Sequence, residues 1–130
     1  MTVLETTAES NGISFPWLET AQPQPYGSLE DLYNRVRDYY YAHEDLPEEE
    51  LYDVETCWTF ATYRQDELGF APYQFFMGPV GSGKTRCLEC LHHLSYRAIM
   101  ATSTTSAALF RAIQAWHPTL LLDEAQIYSN

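Results

Sequence analysis

The stretch Gly78-Pro79-Val80-Gly81-Ser82-Gly83-Lys84-Thr85 decides how the rest of the chain is read. It matches the pattern G-x-x-x-x-G-K-[ST] at each fixed position, and each residue type answers a chemical need. Glycines at 78, 81 and 83 let the backbone fold back and bring its N–H groups close to phosphate oxygens. A helix beginning near Lys84 points its positive dipole end at the same anion. Lys84 supplies a mobile charge for β- and γ-phosphates, and the Thr85 hydroxyl is a ligand for Mg²⁺. Pro79, Val80 and Ser82 complete the cradle, and Arg86 directly after it reads equally as an α-phosphate contact or as an exposed first-turn arginine. By chance the pattern arises in roughly one chain of this length in a few hundred.

The flanking sequence supplies the strands and helices that such a loop needs. Tyr73 to Met77 is a short aromatic-rich run that predicts a buried strand. Thr85 to Leu94 predicts a helix, and Tyr96 to Ala101 a second strand. Thr102 to Ser106 can cap a helix running to about Trp116, with Ala108, Leu109, Ala112 and Ile113 as its stripe. Pro118 stops that helix, and Thr119 to Leu122 predicts a third strand. Strands alternating with helices indicate an α/β unit with a parallel sheet. The third strand ends in Asp123-Glu124, and a buried strand delivers such carboxylates to the sheet end where the phosphate loop opens. Asp123 is placed to hold Mg²⁺ through water, and Glu124 to orient or deprotonate an attacking water.

The first half reads differently. Residues 1–27 lack periodicity and contain Pro16, Pro23, Pro25 and Gly27, so an irregular leader is expected. Its patch Ile13, Phe15, Trp17 and Leu18 could dock onto the domain or a partner. Residues 28–70 predict a helical segment. Ser28 with Asp31 three residues on predicts an N-cap, followed by the stripe Leu29, Leu32, Tyr33, Val36 and Tyr40. Asp45-Leu46-Pro47-Glu48 opens a second helix whose expected stripe is Leu51, Val54, Trp58 and Ala61; Gly69 and Pro72 end it. Residues 71–130 form the α/β part.

Composition narrows the function classes. The 130 residues carry 18 acids and 7 bases, a net charge of −11. Residues 1–70 hold 15 of the acids and 3 of the bases, against 3 and 4 in the remainder. The balance argues against a broad basic surface gripping a nucleic-acid backbone. The acidic helical half reads as a solvated outer face. The sole lysine, Lys84, is the one the loop requires. Cys57, Cys87 and Cys90 make an odd number without a secretion signal, so reduced thiols and a cytoplasmic location are expected. No apolar run reaches the length of a membrane span.

The phosphate loop together with Asp123-Glu124 resembles the P-loop ATPases that carry an additional catalytic glutamate, the class of AAA+ and helicase-like motors. More narrowly, Tyr73 to Glu124 is similar to ATPase modules of phage, plasmid and prokaryotic replication proteins. Gly78–Thr85, Ala107-Leu109-Phe110-Arg111 and Pro118–Glu124 carry the similarity. The resemblance implies a three-layer α/β/α P-loop NTPase fold with an incomplete parallel sheet of about three strands, preceded by the helical segment. It implies ATP and Mg²⁺ as cofactors, hydrolysis through Lys84 and Glu124, metal held by Thr85 and Asp123, a homo-oligomeric ring, and DNA as a partner. No motif-matched position exists for the arginine that a ring neighbour contributes. The family places a further strand between those of the loop and Asp123, so the resemblance implies an N-terminal portion of a longer protein.

Two other functions fit the loop: a small P-loop kinase, and a nucleotide-binding module without turnover acting in assembly or regulation. Other clusters receive plainer readings. Cys87-Leu-Glu-Cys90-Leu-His92-His93 has zinc-ligand residue types, but one helix cannot aim all of them tetrahedrally, so Cys87 and Cys90 read as small buried hydrophobes. His43 and His117 read as structural or solvent-facing. Tyr39, Tyr40 and Tyr41 cannot share one helical face, which favours mixed core and surface packing over an adenine platform. Arg111, Thr104 and Thr105 are weaker candidates for facing a nucleotide or nucleic acid.

Overall fold

A computed structural model describes residues 24–101 and 106–123. The elements run α1 (Leu29–His43), α2 (Glu50–Thr62), α3 (Lys84–Leu94), β1 (Ala98–Ala101), α4 (Ser106–Trp116) and β2 (Thr119–Leu122). β1 and β2 pair in parallel, Ala98 opposite Thr119 and Ala101 opposite Leu122, with α4 as the crossover. The protein is therefore α/β with a two-stranded parallel sheet among the described residues.

α1 starts where Ser28 caps it. Asp31 N–H donates to Ser28 Oγ at 3.0 Å, and Ser28 N–H donates back to Asp31 Oδ2 at 3.1 Å. This reciprocal bond satisfies two end donors and holds the Asp31 carboxyl below its ordinary pKa. α2 packs beside α1. Tyr33 Oη (2.6 Å) and Arg37 Nε (2.8 Å) both donate to Asp53 Oδ1, and the buried Tyr40 and Thr59 hydroxyls bond at 2.5 Å.

The α2 stripe differs from expectation. Its buried residues are Tyr52, Glu55, Thr56, Thr59 and Thr62, while Val54 is exposed. The hydroxyls make a polar face suitable for burial. Thr56 donates to Tyr52 O (2.7 Å), Thr62 donates to Thr59 O (2.6 Å), and Thr62 also accepts from Tyr96 N–H (3.0 Å). Of the expected stripe, Trp58 does pack against the core, and it also lines a shallow apolar groove with Val54, Ala61, Leu68, Phe70 and Pro72. The helix also ends at Thr62, followed by turns over 63–67 rather than continuing to Gly69.

The expected strand at Tyr73–Met77 does not form a ladder. β1 pairs with β2, and neither pairs with this segment, so among the described residues its backbone has no strand neighbour. Side chains hold it instead. Tyr73, Phe75 and Met77 are exposed, while Phe76 packs on the core and Gln74 Nε2 reaches Glu55 Oε1 at 3.3 Å. The core itself joins Tyr40 and Tyr52 of the helical half to Cys90, Leu91, Ala98 and Leu121 of the α/β half. Leu109 and Ala112 of the α4 stripe are half-buried, whereas Ala108 and Ile113 are exposed. Thr102–Thr105, expected to cap α4, lie outside the described residues, as does the leader up to residue 23. No helix among the described residues is long and apolar enough to cross a membrane.

Candidate functional site

The loop between the Tyr73–Met77 segment and α3 turns on glycines, two of which, Gly81 and Gly83, have positive φ. A Cβ at Gly78 would sit 2.6 Å from Ser82 Oγ, so only glycine fits there without displacement. Gly83, the residue before α3, has φ of 88°, a left-handed conformation that swings the chain from the loop into the helix. Pro79 O accepts from Ser82 N–H at 3.2 Å, closing a turn around Val80 and Gly81. Lys84 Nζ folds back into this turn and donates to Gly78 O (2.9 Å), Pro79 O (2.7 Å) and Ser82 Oγ (3.4 Å). The lysine thus occupies the mouth of its own loop, held by weak neutral acceptors that a phosphate would outcompete.

Thr85 and Asp123 meet. Thr85 Oγ1 donates to Asp123 Oδ2 at 3.1 Å across 38 positions of sequence. α3 supplies the threonine from its first turn, and β2 carries the aspartate just past its last residue. Asp123 N–H also donates to Ala101 O at 3.4 Å, extending the parallel ladder by one step and fixing where the carboxylate emerges. The pair presents two hard oxygen ligands, a donor set suited to Mg²⁺. Arg86 forms an exposed ion pair with Glu89 (3.4 Å). Glu124, Thr104 and Thr105 lie outside the described residues, and Arg111 is exposed on α4.

A cleft of about 740 Å³ extends from the loop toward the junction of α1 and α2. Gly78, Pro79, Ser82 and Lys84 line one end; Glu44 and Glu55 are also among its walls. The acidic first half is thus not wholly a solvated face. Glu44 is 9% and Glu55 1% exposed, and burial pushes the Glu55 carboxyl up to about 9, with Glu44 beside it adding to the shift. The Cys87 thiol is pushed up to about 12 and that of Cys90 to about 11, in both cases first by burial. Both cysteines are buried, as the sequence implied, whereas His92 and His93 are exposed. Tyr40 is in the core and Tyr41 on the surface, so the tyrosine triplet makes no flat platform.

Sequence reasoning missed the buried carboxylates. One signal was available: Glu55 lies on the same 52/55/56/59/62 helical face as Tyr52 and the threonines. Charge alone had assigned it to solvent. No protein-family model, curated protein or solved structure matches the chain.

Proposed function

We propose that the chain binds ATP with Mg²⁺ through residues 78–86 and belongs to the P-loop NTPases, as the ATPase part of a DNA-replication or mobile-element protein. The observation that carries this is the 3.1 Å bond between Thr85 Oγ1 and Asp123 Oδ2. A hydroxyl directly after the loop lysine and a carboxylate at the end of a parallel strand are the two protein oxygens that place the metal in such sites. The backbone N–H groups of the loop and the start of α3 bind the phosphate oxygens, and Lys84 exchanges its carbonyl partners for them. Glu124, next to Asp123, prepares the water that attacks the γ-phosphorus. Phosphate is released and ADP remains.

Nucleotide binding with little turnover is the second reading, favoured by the Tyr73–Met77 segment. A loop whose entry segment makes no ladder hydrogen bonds among the described residues is held less firmly, and phosphoryl transfer depends on positioning. Two variants separate the possibilities. Lys84→Ala should abolish ATP binding in a calorimetric titration. Glu124→Gln should retain binding and, if wild-type protein releases phosphate, should lower that release by at least ~100-fold. Equal ATP affinity in wild type and Lys84→Ala contradicts the proposal at its root.

A further inference from the structure

Apart from the phosphate loop, the described residues contain a second group of chemistry-bearing side chains. Glu44, at the end of α1, Glu55, in the middle of α2, and Cys87, in α3, bring a carboxylate oxygen each and a thiol sulfur within 4.8 Å of one another. The two carboxylates are more than nine-tenths buried. Glu44 Oε1, Glu44 Oε2 and Glu55 Oε2 have no hydrogen-bond partner, and Glu55 Oε1 has one long bond, from Gln74. The side-chain oxygen of that same glutamine is itself buried and without a partner. Among the described residues no lysine or arginine forms an ion pair with either glutamate.

Buried carboxylates ordinarily find donors or a counter-charge, because desolvation penalises an unpaired one. Here an oxygen from each of two carboxylates converges with a thiol, and among the described residues no protein cation answers them. The donor set selects among ions. Carboxylates alone would suit Mg²⁺ or Ca²⁺, but a thiolate prefers a softer ion, and Zn²⁺ accepts mixed sulfur and oxygen ligands in tetrahedral geometry. Three elements contribute one ligand each, which avoids the difficulty of aiming several ligands from one helix.

We infer that Glu44, Glu55 and Cys87 form a Zn²⁺ site that clamps the α1–α2 hairpin to the first turns of α3. Water fills the fourth position. Binding displaces the Cys87 thiol proton to solvent and satisfies the orphaned oxygens. Cys87 lies three residues after Lys84, so the ion also secures the helix on which the phosphate loop rests. The site is distinct from the Thr85–Asp123 pair and does not depend on nucleotide binding.

The test uses the full chain, loaded with Co²⁺ or Zn²⁺ after removal of metal by a chelator. Co²⁺ should bind in proportion to protein and give the intense near-ultraviolet absorption of a thiolate–metal bond. Cys87→Ala should abolish that band, and Glu55→Gln should weaken Zn²⁺ by more than the roughly 10–100-fold that loss of an outer partner costs. A His92→Ala/His93→Ala variant should keep the band, since those exposed rings lie outside the cluster. Folding of each variant is checked by helical circular dichroism. Folded wild-type protein that takes up no stoichiometric metal at micromolar Zn²⁺ overturns the inference, with a proton shared by the carboxylates as the alternative. An undiminished thiolate band in folded Cys87→Ala overturns it too.

Discussion

Single side chains set what this molecule can tolerate. Tyr40 is completely buried, and its hydroxyl is within 2.5 Å of Thr59 Oγ1. Tyr40→Phe removes one partner and leaves the other hydroxyl short of a bond in a place water does not reach. The expected loss is about 1–3 kcal/mol of unfolding free energy, read from urea denaturation. An unchanged midpoint would mean that Thr59 finds another partner. The phosphate loop follows the same logic with the backbone. Its tight turn was legible in the sequence, because the glycines at 81 and 83 adopt the positive φ that their residue type favours. The Glu44–Glu55–Cys87 cluster was not legible, because its members are distant in sequence and burial of an acid leaves no mark on composition.

Among the elements, helices were easier to read than strands. The Ser28–Asp31 capping pair marked the start of α1, and the Thr119–Leu122 run matched β2. The α2 stripe was misjudged because threonines that bond to backbone carbonyls behave as core residues while counting as polar. The Tyr73–Met77 run has the composition of a strand, but a strand also needs a neighbour, and pairing is a property of the sheet. Amide exchange should report this: amides of 73–77 should exchange orders of magnitude faster than those of β1 and β2. Equal protection would require a strand partner for the segment. The α1–α2 pair offers a pH test. Hydrogen bonds from Tyr33 and Arg37 hold the Asp53 carboxyl below its unfolded value of 3.8. A depressed pKa contributes stability above pH 3.8, lost as pH falls through the lower folded value. Asp53→Asn should therefore lower the melting temperature at neutral pH, with the gap to wild type closing as the solution is acidified below 3.8. A gap independent of pH would assign the effect to packing.

On the scale of the whole molecule, a strongly acidic half and a nearly neutral half share one core through Tyr40, Tyr52, Leu91 and Leu121. The helical half also walls the cleft that begins at the phosphate loop. Thr85 and Asp123 become neighbours only when α3, β1, α4 and β2 are all in place, so the hydrogen-bonded pair is a product of the fold rather than of either motif. The most direct measurement is ATP affinity with and without Mg²⁺, by calorimetry on wild type and Asp123→Asn. Wild type should bind ATP at least ~10-fold more tightly with Mg²⁺ than in chelator, a difference of about 1.4 kcal/mol. Asp123→Asn should lose most of that difference while keeping the chelator value. An Mg²⁺ effect of the same size in both proteins, or no ATP binding by wild type under either condition, would contradict the assignment.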